Sequence, residues 1–344
     1  LFLSKGRAQP APCLKTNDSQ EINMLKYIIK RVIFGIIILL GVGLITYAAL
    51  RLMPTDFLYE QYRLGHITWE TYQEMYYGLG FNHGVFGGFF VWLGSAFQGN
   101  FGLSFFTNRP VMEEIFSPRM GITVMIVIIS MIFQLAIAIP LGITSAVNQY
   151  SKRDYSITFI VMMLFSFPSF FLAALLVMVF AVWLGWFPTQ GMFALGLSPA
   201  ATFFSRIHHL ILPIMTVVLI SLGGTLRFTR MNTLEVLSAD YIRTARAKGC
   251  SERVVVYKHA FRNTLVPFVT SMATLLPGLF SGSIILEQFF AIEGLGNLVF
   301  MATRHGDVPL MMAYNMFLAI LTVVSVTLAD LMYAVVDPRI KITK

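Results

Sequence analysis

The sequence predicts an all-α integral membrane protein with six transmembrane helices. Three observations predict it. First, 56% of the 344 residues are hydrophobic and only 12% charged, with mean hydropathy +0.72. A soluble domain carries about a quarter charged residues, so water-soluble folds, disorder and coiled coil are excluded together. Second, the chain contains several uncharged stretches long enough to cross a bilayer, which takes about 20 residues at about 1.5 Å rise each. Third, its Lys and Arg residues are distributed unequally between alternate connections.

The first uncharged run is Val32–Leu50, between Arg31 and Arg51; the second is centred on Ile122–Val147. From Tyr155 to Arg206 no charge occurs, which is too long for one span. Gly185, Pro188, Gly191 and Gly196 punctuate it, so a helix at Ile157–Leu184 followed by an irregular segment is expected. The fourth span is Ile207–Leu226, crowded at its start by His208, His209 and Pro213. The fifth is Leu265–Leu286, and the sixth is Leu310–Val336 with Asp330 inside it. Of the 25 basic residues, 19 fall before span 1, in the 2–3 and 4–5 connections and after span 6; 6 fall on the other side. The excess marks the cytoplasmic face, so both termini and the 4–5 loop are expected there. The net charge of +8 follows from the same flanking residues, and no nucleic-acid partner is expected.

The parts divide as follows. Residues 1–23 are polar and Pro-containing without an apolar core, so they read as a disordered extension and not as a signal peptide. Residues 24–119 hold the first span and an external loop, Arg51–Arg119, expected to form a small helical cap. Its Trp69–Tyr77 segment is rich in aromatic residues and Glu, and Phe86–Phe97 reads as an apolar interfacial helix. Residues 120–336 form the core with five helices and a cytoplasmic loop at 227–264; 337–344 are a cytoplasmic tail.

Chemistry-bearing motifs are sparse. The sequence has no G-x-x-x-x-G-K-S/T, H-E-x-x-H, C-x-x-C or G-x-S-x-G, so no nucleotide-binding or hydrolytic centre is expected, and the chain is not read as an enzyme. Cys13 and Cys250 make no disulfide framework. His208 and His209 are adjacent and point apart on a helix, which favours a structural role over a metal site. Asp330 keeps two readings, a polar contact or a mechanistic charge, because an intramembrane acid is costly. Pro140, Pro168, Pro213 and Pro277 fall in four different spans, where each removes a backbone hydrogen bond. Gly278 and Gly282 form a small-xxx-small pair.

The informative segment lies in the 4–5 loop. Ser238 is expected to cap a short helix with Asp240 in its first turn, and Gly249 to end it in the left-handed region. Ser251 would cap the next helix. Ala245 and Gly249 lie four apart, giving a small face that another protein could approach closely. An amphipathic hairpin lying on the lipid surface fits the same residues.

The stretch Ala239–Gly249, A-D-Y-I-R-T-A-R-A-K-G, resembles the cytoplasmic coupling loop of binding-protein-dependent ABC importer permeases, in the form of the B-type subunits of dipeptide and oligopeptide systems. The wider class carries E-A-A-x-x-x-G; Arg243-Thr244-Ala245 stands at the first three positions and Gly249 is kept. Further matches are Met24-Leu25-Lys26-Tyr27-Ile28, Gly99-Asn100-Phe101-Gly102-Leu103-Ser104 and Gly185-Trp186-Phe187-Pro188. His209-Leu210-Ile211-Leu212-Pro213, Arg262-Asn263-Thr264-Leu265-Val266-Pro267, Glu293-Gly294-Leu295-Gly296 and Tyr333-Ala334-Val335-Val336-Asp337-Pro338-Arg339 follow in order. The loop from Thr55 to Tyr77 matches poorly.

The resemblance implies a type I ABC importer transmembrane domain in the cell membrane of a prokaryote. It implies pairing with a C-type permease subunit, two cytoplasmic ATPase subunits that bind ATP and Mg, and an extracytoplasmic binding protein, with no cofactor in this chain. The residues it marks for ATPase coupling are Ala239, Asp240, Tyr241, Arg243, Thr244, Ala245, Arg246, Lys248 and Gly249. Peptide is the implied cargo; a nickel-type permease of the same family and a secondary transporter are the alternatives.

Overall fold

A computed structural model describes residues 17–52, 57–65, 67–192, 199–261, 277–278, 280 and 284–336, all of them helix or connection. The long helix α1 (Asn17–Arg51) carries the first apolar run, Ile29–Ala49. It begins at Asn17, so residues 17–23 are helical where an unstructured extension is expected; 1–16 lie outside the described residues. A helical cap follows, as the aromatic and apolar patterns predict: α2 (Phe57–Arg63), α3 (Trp69–Gly78), α4 (Val85–Phe97) and α5 (Val111–Ile115). Thr68 caps α3 by accepting the Thr71 N–H at 3.2 Å.

The second run is α6 (Pro118–Val147), capped by Ser117 with Pro at its first position. The third is not one straight helix. The pair α7 (Lys152–Ser166) and α8 (Ser169–Leu176), the latter running on as π-helix over Val177–Trp183, bends by 106° at the break. Pro168 sits there, and Phe167 takes extended ψ 139, the conformation a following proline imposes. Gly185 and Gly191, both at positive φ, mark the irregular segment that follows.

The fourth run is longer than expected. Helix α9 (Pro199–Leu237) extends past the expected span at both ends and keeps Pro213 inside it. Arg227 and Arg230, read from sequence as loop residues, lie on this helix. Then come α10 (Asp240–Ala247) and α11 (Glu252–Val254), the latter continuing as a π-helical stretch, Val255–Ala260. The expected fifth span falls largely outside the described residues, as do Arg262–Pro267, Gly282, the tail 337–344 and the side chain of Asp330. The described chain resumes with α12 (284–289), α13 (Leu295–His305) and α14 (Val308–Val336).

Among the described residues four helices are long and apolar enough to cross a membrane, or five if the bent pair is one span. Helix α6 packs against α9 most extensively, with α7 and α8 also on α9 and α1 on α14. The α6–α9 approach is close at Gly142, where a Cβ would stand 2.8 Å from Thr229 Cβ. Gln134 of α6 donates to Thr225 Oγ1 and to the Ser221 carbonyl across that seam. A separate cluster, with Tyr47, Leu58, Met75, Phe89, Trp92 and Met312 buried in it, fastens the cap to α1 and α14.

Candidate functional site

Helix α10 hangs between α9 and α11 as a tight hairpin. Its start is set by Ala239 at φ −71, ψ 149; Ser238 does not cap it, because its hydroxyl donates back to the Glu235 carbonyl at 2.7 Å. Asp240 sits in the first turn, where a carboxylate suits the helix dipole. The helix ends as the sequence predicts. Gly249 takes φ +78 and donates to the Arg246 carbonyl, while Cys250 N–H donates to the Ala245 carbonyl. Ser251 stands at the head of α11 without a side-chain capping bond.

Two faces of α10 are distinct. Ile242 and Ala245 are buried with Val255 and Ala260, against Val236, Leu237 and Cys250. Of the small pair read from sequence, Ala245 therefore packs inside the hairpin while Gly249 lies on its surface. The outer face carries Asp240, Tyr241, Arg243, Thr244, Ala247 and Lys248, all exposed. Gly249 is exposed too, with open space where a Cβ would stand. Arg243 reaches Asp240 only at 3.5 Å, with both side chains in water.

Arg246 is engaged within the hairpin. Its Nε donates to Glu252 Oε1 at 2.7 Å and its Nη2 to Oε2 at 3.3 Å. This two-pronged bond holds the Glu252 carboxyl below its usual range and raises Arg246 above its own. The sequence reasoning passed over Glu252, although it lies at the first position after the Ser251 cap, where an acid facing back to the preceding helix is well placed.

The hairpin is carried by α9, and α9 is anchored by an ionic network built on a buried carboxylate. Arg230, about two turns before the end of α9, donates from Nε to Asp154 Oδ1 at 3.0 Å and from Nη2 to Oδ2 at 2.8 Å. Asp154 is buried in the first turn of α7; Ser145 of α6 donates to it, as does the Tyr150 N–H. One carboxylate thus joins α6, α7 and α9. Sequence reasoning missed both members, since each stood inside a presumed loop.

Two further motif segments gain a structural reason. Glu287 of α12 accepts from Thr123 Oγ1 at 2.7 Å and from the Asn297 N–H at 3.0 Å, so its carboxylate sits over the start of α13. Gly294 and Gly296 admit it: a Cβ on Gly294 would stand 2.3 Å from Glu287 Oε2. Asp307, buried at the head of α14, accepts from Ser104 and from the Leu310 N–H, tying the 99–104 motif to α14. His208 and His209 are placed structurally, against the Trp186 and Ser205 carbonyls at 2.7 Å each. Among the described residues no group of three His, Cys, Asp or Glu side chains could hold a metal ion.

A body of apolar spans with a short amphipathic hairpin held outside it defines a multi-pass helical membrane subunit. Over residues 138–342 the sequence matches the family described as binding-protein-dependent transport system inner membrane component, and the chain belongs to that family. It is a permease component of an ABC transport system, not an enzyme, and membership implies a binding protein and an ATPase as partners. Oligopeptide transport system permease protein AppB of Bacillus subtilis (strain 168) is 38% identical over 320 residues, covering 92% of this chain and 100% of that protein. Dipeptide transport system permease protein DppB of Alkalihalophilus pseudofirmus is 33% identical over 335 residues, with 92% and 100% covered. The fold resembles a chain of the MetNI methionine ABC transporter in its inward-facing conformation, at TM-score 0.50 and 18% identity, over 62% of this chain and 93% of that one.

Proposed function

We propose that this chain forms half of a translocation pathway for peptides, beside a similar C-type permease subunit, in six spans with both termini cytoplasmic. Two separate ATPase subunits bind and hydrolyse ATP with Mg, and an extracytoplasmic binding protein delivers the peptide. The peptide assignment is supported by the names of the relatives, which match over their whole length. The observation that carries the mechanism is the exposed outer face of α10 on a hairpin stiffened from within.

A partner gripping Tyr241, Arg243, Thr244 and Lys248 pushes on a helix that cannot peel away, since Ile242 and Ala245 are buried in the hairpin. The push passes into α9, a continuous helix of 39 residues, about 58 Å long. Arg230 and Asp154 then oblige α6 and α7 to move with α9. Closure of the ATPases on ATP is in this way converted into alternating access.

The test is Gly249→Asp. A side chain in the left-handed region costs about 1 kcal/mol, and an unpaired carboxylate against a docked surface costs several more. The variant should insert normally, lose co-purifying ATPase subunits and lose uptake of labelled dipeptides and longer peptides. A variant that still couples ATP hydrolysis to uptake at the wild-type rate would remove α10 from the coupling role. Uptake of nickel in place of peptide, in a deletion background, would replace the cargo and leave the mechanism standing.

A further inference from the structure

Helix α4 has an apolar outer arc that nothing among the described residues covers. Its inner arc, Gly88, Phe89 and Trp92, is buried in the cap cluster. On the opposite side Phe86, Phe90, Val91 and Phe97 are exposed, at 69%, 64%, 38% and 81%, with Gly87 and Gly94 between them. None of these residues has a side chain that can donate or accept a hydrogen bond, Ser95 at the edge of the arc turns its hydroxyl onto the Val91 carbonyl at 3.4 Å, and Val85–Phe97 contains no charge.

The depth of α4 is fixed by two neighbours. The apolar run Ile29–Ala49 of α1 is 21 residues, about 31 Å, one hydrocarbon thickness. Gly43 lies six residues inside its end, about 9 Å down, and a Cβ there would stand 3.2 Å from the Phe89 ring. The same position is 3.4 Å from Met316 Sδ, eight residues or about 12 Å into the run that begins at Val308 of α14. Gly88 packs on the Tyr47 hydroxyl, close to the end of the α1 run. Above it Arg51 donates to the Phe81 and His83 carbonyls, both at 3.0 Å, which places a cation at headgroup level just before α4 starts. At 13 residues, about 20 Å, α4 cannot span the bilayer.

We infer that α4 lies within the leaflet at which α1 ends, its inner arc on α1 and α14 and its outer arc against lipid acyl chains. Amphipathic helices at membrane surfaces sit about 5–10 Å into the headgroup and acyl boundary, and the buried Phe89 ring of α4 reaches that depth or slightly beyond it. Lipid is the occupant the chemistry favours. A protein partner would bring about one hydrogen bond per 100–200 Å² of interface, and this arc has no side chain to share in one. The cap is thereby anchored in the bilayer and not suspended above it. The inference uses only the membrane location of α1 and α14, not the proposed cargo.

The experiment uses the full transporter complex in phospholipid vesicles, with Cys13 and Cys250 replaced by Ser. An environment-sensitive fluorophore is attached at Phe90→Cys, at Phe97→Cys and, as a water-facing control, at Glu70→Cys, an exposed position of α3. Emission at 90 and 97 should be blue-shifted, mostly quenched by lipids carrying a nitroxide on the acyl chain, and little affected by iodide. Position 70 should show the reverse. Iodide reaching 90 and 97 as freely as 70 would overturn the inference in favour of an aqueous surface. Shielding from both quenchers would overturn it in favour of a protein partner. Neither result bears on peptide uptake, which is measured separately.

Discussion

At the scale of single residues, the ion pair between Arg230 and Asp154, with Ser145, ties three helices together. Removing one partner of a fully buried pair costs about 3–5 kcal/mol; here Asp154 is buried and Arg230 a quarter exposed, so a smaller but clear loss is expected. Asp154→Ala and Arg230→Met should each lower the thermal unfolding midpoint in detergent. The double variant should lose less than the two effects added, because no lone charge then remains. A wild-type midpoint for Asp154→Ala would mean that the network holds nothing. A second pair of variants separates close approach from general glycine effects. Gly294→Ala places a Cβ 2.3 Å from Glu287 Oε2 and should destabilise; Gly121→Ala, on α6 with open space around it, should be neutral or stabilise by up to about 1 kcal/mol. Equal midpoints for these two would remove the carboxylate cradle as the reason for Gly294.

At the scale of elements, the α10–α11 hairpin is closed in part by Arg246 and Glu252, and its response to acid follows from the lowered Glu252 carboxyl. A depressed acid contributes above the unfolded value of about 4.3 and stops contributing as pH falls through its lower folded value. Hydrogen exchange at residues 246–252 should therefore be slow and pH-corrected constant near neutrality, then accelerate in acid. Glu252→Gln should abolish that acid step; its survival would assign the step elsewhere. Much of this hairpin was legible in the sequence. Gly249 after a run of helix formers marked the stop, because few other residues tolerate the left-handed region. The direction of Ala245 was not legible, since small residues four apart share a helix face without stating whether it points at the chain or away. The prolines teach the same limit. Pro140 and Pro213 lie within continuous helices while Pro168 stands at a 106° bend, and what decides between them is the packing on either side, which no local pattern contains.

At the scale of the whole molecule, the membrane class and the cap helices were legible because composition and apolar run length are properties of the chain alone. The buried polar joints were not: Ser104 with Asp307 and Thr123 with Glu287 join residues 203 and 164 positions apart, across connections whose path periodicity does not reveal. The proposed orientation rests on the distribution of basic residues, and two of those counted in the 4–5 loop, Arg227 and Arg230, belong to α9 itself. The asymmetry survives their removal, because the other connections on that side still hold most of the Lys and Arg. It predicts the side of each thiol. Asn82→Cys and Asn108→Cys, exposed positions in the connection between α1 and α6, should react with an impermeant maleimide on intact cells. The free Cys250 and an introduced Lys248→Cys should react only after permeabilisation. Cys250 is partly buried, so its silence alone would be ambiguous; Lys248 is exposed on the same hairpin and separates burial from sidedness. Labelling of Lys248→Cys on intact cells would place α10 outside, beyond reach of any cytoplasmic ATPase, and would reverse both the orientation and the coupling mechanism drawn from it.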